Sequence, residues 1–332
     1  MNSGAPAAQS SRAAADGHPR RAELAAFLRS RRARVTPEQA GLPPGRRRRT
    51  PGLRREEVAQ LAGVGVTWYT WLEQGRSINA SVQVLTAIAR TLLLDQAEQD
   101  HLFRLADQPG TVGTDGSGAT CEQVSAELQG ILDALVPLPA SIQNERFDVL
   151  AWNRAYAVAW PSAADARPGD RNSLWLNFTH AECCHPWVNR DEQLATLVAQ
   201  FRSAYGRHVG EPAWTGFVRR LQAASPHFAR LWEAHDVASP GPYLKVYRHP
   251  AFDRLAMTTT SFAVQSVPGT RLIVYTPADE VTRDAIRRLL AGEGAGARFP
   301  CWEEHRRRLA DLPAGHMRSG EAAPDPDLAP SA

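Results

Sequence analysis

The chain has 332 residues, 43% hydrophobic and 22% charged, the composition of a folded protein long enough for two domains. No apolar run approaches the roughly 18–20 residues of a membrane helix. The N-terminus lacks the apolar stretch of a secretory peptide, and four cysteines (Cys121, Cys183, Cys184, Cys301) are no disulfide framework in this length. A cytoplasmic protein with reduced thiols, associated with no membrane, is the expectation. Of the 38 basic residues all but Lys245 are arginine, and the net charge is +3. That total conceals a division. Residues 1–107 hold 16 basic and 10 acidic side chains, net +6, against 22 and 25, net −3, in residues 108–332. An arginine habit this general says little, so the placement of the arginines carries the information.

Residues 1–20 are small and polar and read as a disordered leader. Leu24, Phe27 and Leu28 then fall at helical spacing. Gly41-Leu-Pro-Pro-Gly45 breaks that helix and Arg46-Arg47-Arg48-Arg49 follows. Leu53–Leu61 reads as a second helix, Gly63-Val64-Gly65 as a turn and Val66–Gln74 as a third helix stopped by Gly75. Ser81 caps a fourth, burying Leu85, Ile88, Ala89 and Leu92, and Asp95 with Glu98 opens a fifth. Asp107–Thr120 is glycine-rich without apolar periodicity, a linker. Beyond it come a helix over Glu122–Leu135 and short strands at Pro139–Gln143 and Phe147–Ala151. Helices follow to about Asp236, with Asn153 capping the first. Tyr243–Arg248, Leu255–Val264 and Arg271–Thr276 are β-branched and aromatic, joined by short turns. This order predicts an α+β domain with one antiparallel sheet. An amphipathic stretch and a Pro/Ala-rich tail end the chain.

The sharpest pattern is Glu57-Val-Ala59-Gln-Leu-Ala-Gly63-Val-Gly-Val-Thr-Trp-Tyr69. Two crossing helices need a small residue where they meet (Ala59), a turn with little bulk (Gly63) and a large apolar residue seating the second helix (Tyr69, with Leu72 behind it). That is a helix-turn-helix, whose second helix enters the major groove of double-stranded DNA. Its outward positions are Val66, Thr67, Thr70 and Trp71, with Trp68 at the edge. Arg46, Arg47, Arg48, Arg49, Arg54, Arg55 and Arg76 are the candidates for phosphate contacts. The threonines suit base edges and Val66 and Trp71 suit thymine methyls.

The run Arg47-Arg-Arg-Thr-Pro-Gly-Leu-Arg-Arg-Glu-Glu-Val-Ala-Gln-Leu-Ala-Gly-Val64, then Trp68-Tyr69 and Leu72-Glu-Gln-Gly-Arg76, resembles the MmyB-like branch of the XRE/Cro-type helix-turn-helix regulators. The likeness continues at Trp152-Asn153-Arg154, Leu231-Trp232-Glu-Ala-His235-Asp-Val237, Arg248-His249-Pro250 and Arg271-Leu-Ile-Val-Tyr-Thr276. It implies an all-α, five-helix DNA-binding domain over residues 21–107, a linker at 108–120, a PAS-like ligand-binding domain at 121–277 and a partly disordered extension at 278–332. It further implies a small apolar ligand, a fatty acid in some members. The sequence departs from the family at Trp68 and Trp71, where a polar or acidic residue and an arginine are usual, at Asn79-Ala80, which replaces a proline-containing turn, and at Gly65, where a serine or threonine normally caps the helix.

Seven of the nine tryptophans follow the linker. Aromatics of this kind form core or line an apolar pocket, and Trp152, Trp175, Phe178, Phe201 and Trp232 are the candidate lining. A ligand carboxylate would need a cation; His235 and Arg248 are the first candidates, with Lys245 and His249 nearby. His180-Ala-Glu182-Cys183-Cys184-His185 lacks the paired spacing of a zinc site, so two partly buried thiols are expected, with no metal or other cofactor; a redox-sensing vicinal pair is a further alternative. No phosphate-binding loop, zinc-hydrolase or nucleophile-elbow motif is present, so no enzyme is expected. The expectation is a transcription regulator acting as a homodimer on an operator and sensing a small apolar ligand. The alternative is a constitutive DNA-binding protein whose second domain only dimerises or recruits a partner.

Overall fold

The computed structural model describes residues 7–43, 52–106 and 124–301 (apart from 240, 242 and 295), together with 304 and 307. The expected linker at 108–120 and the arginines at 46–49 lie outside the described residues, as does the chain beyond 307. The long first helix, α1 (Ala7–Arg34), starts well inside the segment expected to be a disordered leader. Its alanines at 7, 8 and 13–15 have the highest helix propensity of any residue.

Four short helices follow: α2 (Arg55–Ala62), α3 (Val66–Glu73), α4 (Val82–Thr91) and α5 (Gln96–Leu105), of which α3 and α5 pack on α1 and α2 and α4 on each other. Ala59 is fully buried where α2 meets α3, and Tyr69 and Leu72 are buried behind it. Gly63 ends α2 at φ +68, and the Val64 N–H reaches back to the Ala59 carbonyl at 2.9 Å, the 6→1 bond that needs a left-handed residue here. Gly65 precedes α3 with no side chain to cap it. Ser81 Oγ accepts from the Val84 N–H at 3.3 Å, and Asp95 and Glu98 bond each other's backbone N–H at 2.9 and 3.1 Å. Each such cap is worth about 1 kcal/mol.

Two buried glutamates lock α1 onto this bundle. Glu73 of α3 accepts a two-pronged contact from Arg32 (2.6 and 2.8 Å) and a third bond from Arg55 at 2.8 Å. Glu98 of α5 accepts from Arg31 at 2.9 Å and from Arg34 at 2.6 and 2.8 Å. Burial alone would raise both carboxyls, but the hydrogen bonds and charges of these arginines outweigh it and hold them below the usual range.

The second half opens with α6 (Ala126–Ala134), then β1 (Ala140–Asn144) and β2 (Val149–Trp152). Asn153 caps α7 (Arg154–Ala159), as its position after a strand predicts. Its Oδ1 accepts from Tyr156 and Ala140 N–H groups, and its Nδ2 donates to the Leu132 and Leu138 carbonyls. Helices α8 (Pro161–Ala164), α9 (Ser173–Thr179), α10 (Arg190–Tyr205), α11 (Pro212–Ala224) and α12 (Pro226–Glu233) follow. Then come β3 (Tyr243–His249), β4 (Asp253–Ala263), β5 (Thr270–Pro277) and α13 (Glu280–Leu290). The five strands form one sheet in the order β2-β1-β5-β4-β3, with every pairing antiparallel. This is the α+β, PAS-like arrangement expected, with its helices packed on the sheet.

Candidate nucleic-acid interface and ligand cavity

The outer face of α3 carries Val66 (47% exposed), Thr67, half-buried Thr70 and Trp71 (40% exposed). Trp68 is half-buried and packs on the N-terminal core. The Arg76 guanidinium lies 5.6 Å from the centre of the Trp71 ring, so the two form one exposed unit at the end of the helix. Arg54 is exposed at the start of α2, where its backbone N–H donates to Glu57 at 2.8 Å. Its neighbour Arg55 is tied to Glu73 instead. The sequence offered no hint of this, since the partner lies eighteen positions on and is buried by folding.

The second half holds a cavity of about 130 Å3 between the sheet and helices α7–α10. The sheet supplies Lys245 and Tyr247 from β3 and Arg271, Ile273 and Tyr275 from β5. Tyr156, Trp160, Leu176 and Leu197 come from the helical side. Trp160 stands 4.5 Å from the Tyr275 ring and 5.0 Å from that of Tyr247. No carboxylate is among the described residues that line it.

Two cations face this aromatic box. Lys245 lies 5.1 Å from the Trp187 ring centre, and burial foremost, then the charge of Arg271, pulls its ammonium down from 10.5 to about 8. Arg271 stands 4.9 Å from the Phe147 ring centre, and its Nε is buried with no hydrogen-bond partner. Burial likewise lowers its guanidinium, against the pull of Glu145. Desolvated cations are costly unless paired, and with no carboxylate among the described lining residues the cavity is complementary to an anion.

The aromatic and cationic residues anticipated around a ligand are placed elsewhere. Trp175, Phe178, Phe201 and Trp232 are buried in a core shared by the helices. Phe201 stacks 5.5 Å from Trp214, and Phe178 meets Phe228 at 5.2 Å. Trp152 is half-buried beneath Arg171 at 5.0 Å. Aromatics on helices that touch one another fill the space between those helices rather than a wall facing the sheet. His235 sits where the two halves meet. Arg248 borders a smaller, 40 Å3 cavity and donates to the His185 carbonyl at 2.7 Å. Lys245 was a secondary candidate and Arg271 none at all. The available signal was alternation: Lys245 and Tyr247 share one face of β3, and Arg271, Ile273 and Tyr275 share one face of β5.

The halves are joined by charge. Arg202 of α10, fully buried, pairs with Glu23 of α1 and donates to the Trp232 carbonyl, with its guanidinium 3.7 Å over the Trp232 ring. His235 Nδ1 lies 3.0 Å from Arg202 and 3.4 Å from Glu23. Burial would raise Glu23, but the His235 hydrogen bond and the Arg202 charge hold it at about 2. Arg31 reaches the His235 carbonyl and Asp236 Oδ1, the latter at 3.1 Å. Beside them His101 is fully buried and kept neutral, lowered to about 3 by burial and then by Arg104.

A helix-turn-helix beside a ligand-complementary α+β domain defines a ligand-responsive, DNA-binding transcription regulator. Family comparison agrees: residues 23–102 match a helix-turn-helix domain, and residues 124–289, half of the chain, match the MmyB-like transcription regulator ligand binding domain. The chain belongs to the MmyB-like transcription regulators. A search of curated proteins returned no match. Among the described residues no helix is long and apolar enough to cross a membrane.

Proposed function

We propose that this regulator binds a specific operator and that its grip is set by a small molecule with an apolar or aromatic body and an anionic head. The observation that carries this reading is the pair Lys245 and Arg271, turned into an aromatic cavity with no carboxylate among its described lining residues. A fatty acid is the member of that class which the family resemblance implies. The head would pair with the two cations, and the body would lie among Tyr156, Trp160 and Tyr275. This is a binding role, without catalysis, in the cytoplasm.

On DNA, the exposed face of α3 enters the major groove, with Thr67 and Thr70 at base edges and Val66 and Trp71 against methyl groups. Trp68 sits at the rim. Arg54, Arg76 and the arginines at 46–49 take phosphates. A homodimer on two half-sites one helical turn apart doubles these contacts. A continuous set of contacts supports coupling. Leu197 and Gln200 of α10 border the cavity, Arg202 of the same helix grips Glu23 of α1, and Arg32 of α1 grips Glu73 of the reading helix α3. A ligand acts through this route only if it prefers one of two arrangements of the domains.

Mobility shifts on the DNA upstream of the protein's own coding sequence test the reading, with decanoate and decanol compared as ligands. The acid should change the apparent affinity and the alcohol should not. No specific shift over random DNA, or equal effects of acid and alcohol, overturns it. Exposed Leu244 and Phe262 on β3 and β4 favour the second reading, a domain that only dimerises. An empty protein by native mass spectrometry, with DNA affinity indifferent to every carboxylate tried, would select that one.

A further inference from the structure

The cysteines that the sequence leaves without a zinc pattern are gathered in space. Cys183 and Cys184 lie on the 3-10 turn Glu182–Cys184, between α9 and α10. Cys301 arrives from the segment after α13. Its sulfur is 3.5 Å from that of Cys183, and all three sulfurs lie within 4.8 Å of one another. Among the described residues this is the group of histidine, cysteine and acidic side chains close enough to share one ion. No spacing rule finds it, because the third sulfur is more than a hundred residues from the other two.

Two further observations favour a site over a chance meeting, and a third limits its donors to the thiols. First, the spacing suits a metal. Sulfurs at a Zn–S distance of about 2.3 Å around one ion stand about 4 Å apart, between the 3.5 Å contact and the 4.8 Å limit found here. Second, Arg248 organises the cluster. Its guanidinium donates to the carbonyls of Glu182, Cys183 and His185 at 3.4, 3.5 and 2.7 Å. It also lies 5.7 Å from the ring of Phe299, two residues before Cys301. One side chain therefore holds the turn and the arriving segment together. Third, His185 is excluded as a ligand: its Nε2 faces the Asn177 carbonyl at 3.1 Å and its Nδ1 accepts from the Trp187 N–H at 3.2 Å.

We infer that Cys183, Cys184 and Cys301 form a three-thiolate site for a soft divalent ion of the zinc and cadmium class, with solvent at the fourth position. Thiolate donors select such ions over hard ones, and exposure on the Cys183 side leaves room for an exchangeable ligand, as at zinc sites with three protein donors. Binding exchanges three S–H protons for the ion. It would tie the segment carrying Cys301 to the turn at 182–184. Cys184 borders the smaller cavity, and that cavity shares Trp160, Ser162, His180 and Pro186 with the larger one, so the ion would brace a wall of the ligand cavity.

The test is cadmium titration of the full-length, reduced, chelator-stripped protein without oxygen, read by the thiolate-to-cadmium charge-transfer band. The expected result is saturation at one ion per chain. Cys301→Ser and Cys183→Ser should each weaken binding tenfold or more, while Cys121→Ser behaves as the parent. Circular dichroism of each variant confirms that the fold is retained. An unchanged titration in Cys301→Ser overturns the inference. So does saturation at half an ion per chain, or a Cys183–Cys301 disulfide that forms under reducing purification and prevents uptake.

Discussion

The two halves of the molecule pair their cations in opposite ways. In the helical half, Arg31, Arg32, Arg34 and Arg55 converge on Glu73 and Glu98 through short hydrogen bonds. In the sheet half, Lys245 and Arg271 face a cavity with no acid among its described lining residues. The first arrangement is closed: desolvation is offset inside the protein, and the arginines serve the geometry of the reading helix. The second is open, because no carboxylate of the described lining faces the two cations. A basic residue count cannot tell these cases apart; the location of the carboxylates does.

Removing a carboxylate from the closed arrangement should have the largest effect. Glu98→Ala leaves buried Arg31 with only the exposed Asp236 as a counter-charge, and breaking a buried pair costs about 3–5 kcal/mol, read by denaturant unfolding. A loss below about 1 kcal/mol would show that the pair is only decorative. Both glutamates are held below their ordinary range. Their contribution is therefore complete above the unfolded value of about 4.3 and fades as pH falls through the folded values.

The open arrangement predicts the reverse for stability and a loss only in binding. Lys245→Met and Arg271→Met remove desolvated charges, so the ligand-free protein should be at least as stable as the parent. Decanoate affinity should fall by about 10- to 100-fold for each, the equivalent of a lost charge-assisted hydrogen bond of 1.5–3 kcal/mol, measured by calorimetry. Destabilisation with unchanged affinity would mean that the two cations support the sheet and not a ligand.

Sequence reasoning reaches these two arrangements unequally, for a physical reason. Ala59, Gly63 and Tyr69 are legible because a helix-turn-helix is a local structure with fixed spacing, and the caps at Ser81 and Asp95 are local too. The five strands and their hairpin pairings follow from β-branched and aromatic runs with short turns, whereas β1 against β5 joins residues more than a hundred positions apart. Arg55 paired with Glu73, Arg202 with Glu23, and Cys301 beside Cys183 are contacts across long stretches of chain. The aromatic residues mark the core, but whether Phe201 or Trp160 faces the cavity depends on how α7–α10 lie on the sheet. That placement is tertiary, and no local pattern encodes it.

The pH response of the open site is smaller and sharper in sign. Lys245 is lowered from 10.5 to about 8, and only its protonated form pairs with a carboxylate. Decanoate affinity should hold below about pH 8 and decline above it. Ligand-free stability should instead rise between about 8 and 10.5, where the unfolded lysine still binds a proton that the folded one has released. Affinity that is flat through this range, measured by calorimetry, would remove Lys245 from the site.

The smallest effect separates two adjacent arginines. Arg54 is exposed, whereas Arg55 is bound to Glu73. If Arg54 contacts a phosphate, Arg54→Ala should reduce the slope of log affinity against log salt by about 0.9, the share of one neutralised phosphate, and leave the unfolding curve unchanged. Arg55→Ala should lower stability, because Glu73 then depends on Arg32 alone, and should move the salt slope less. Thr67→Ala belongs to a third class, with an unchanged slope and an altered ranking of operator sequences. Equal slopes for Arg54→Ala and Arg55→Ala would mean that the ion pair with Glu73 opens on DNA. The closed arrangement of the helical half would then be closed only in the free protein.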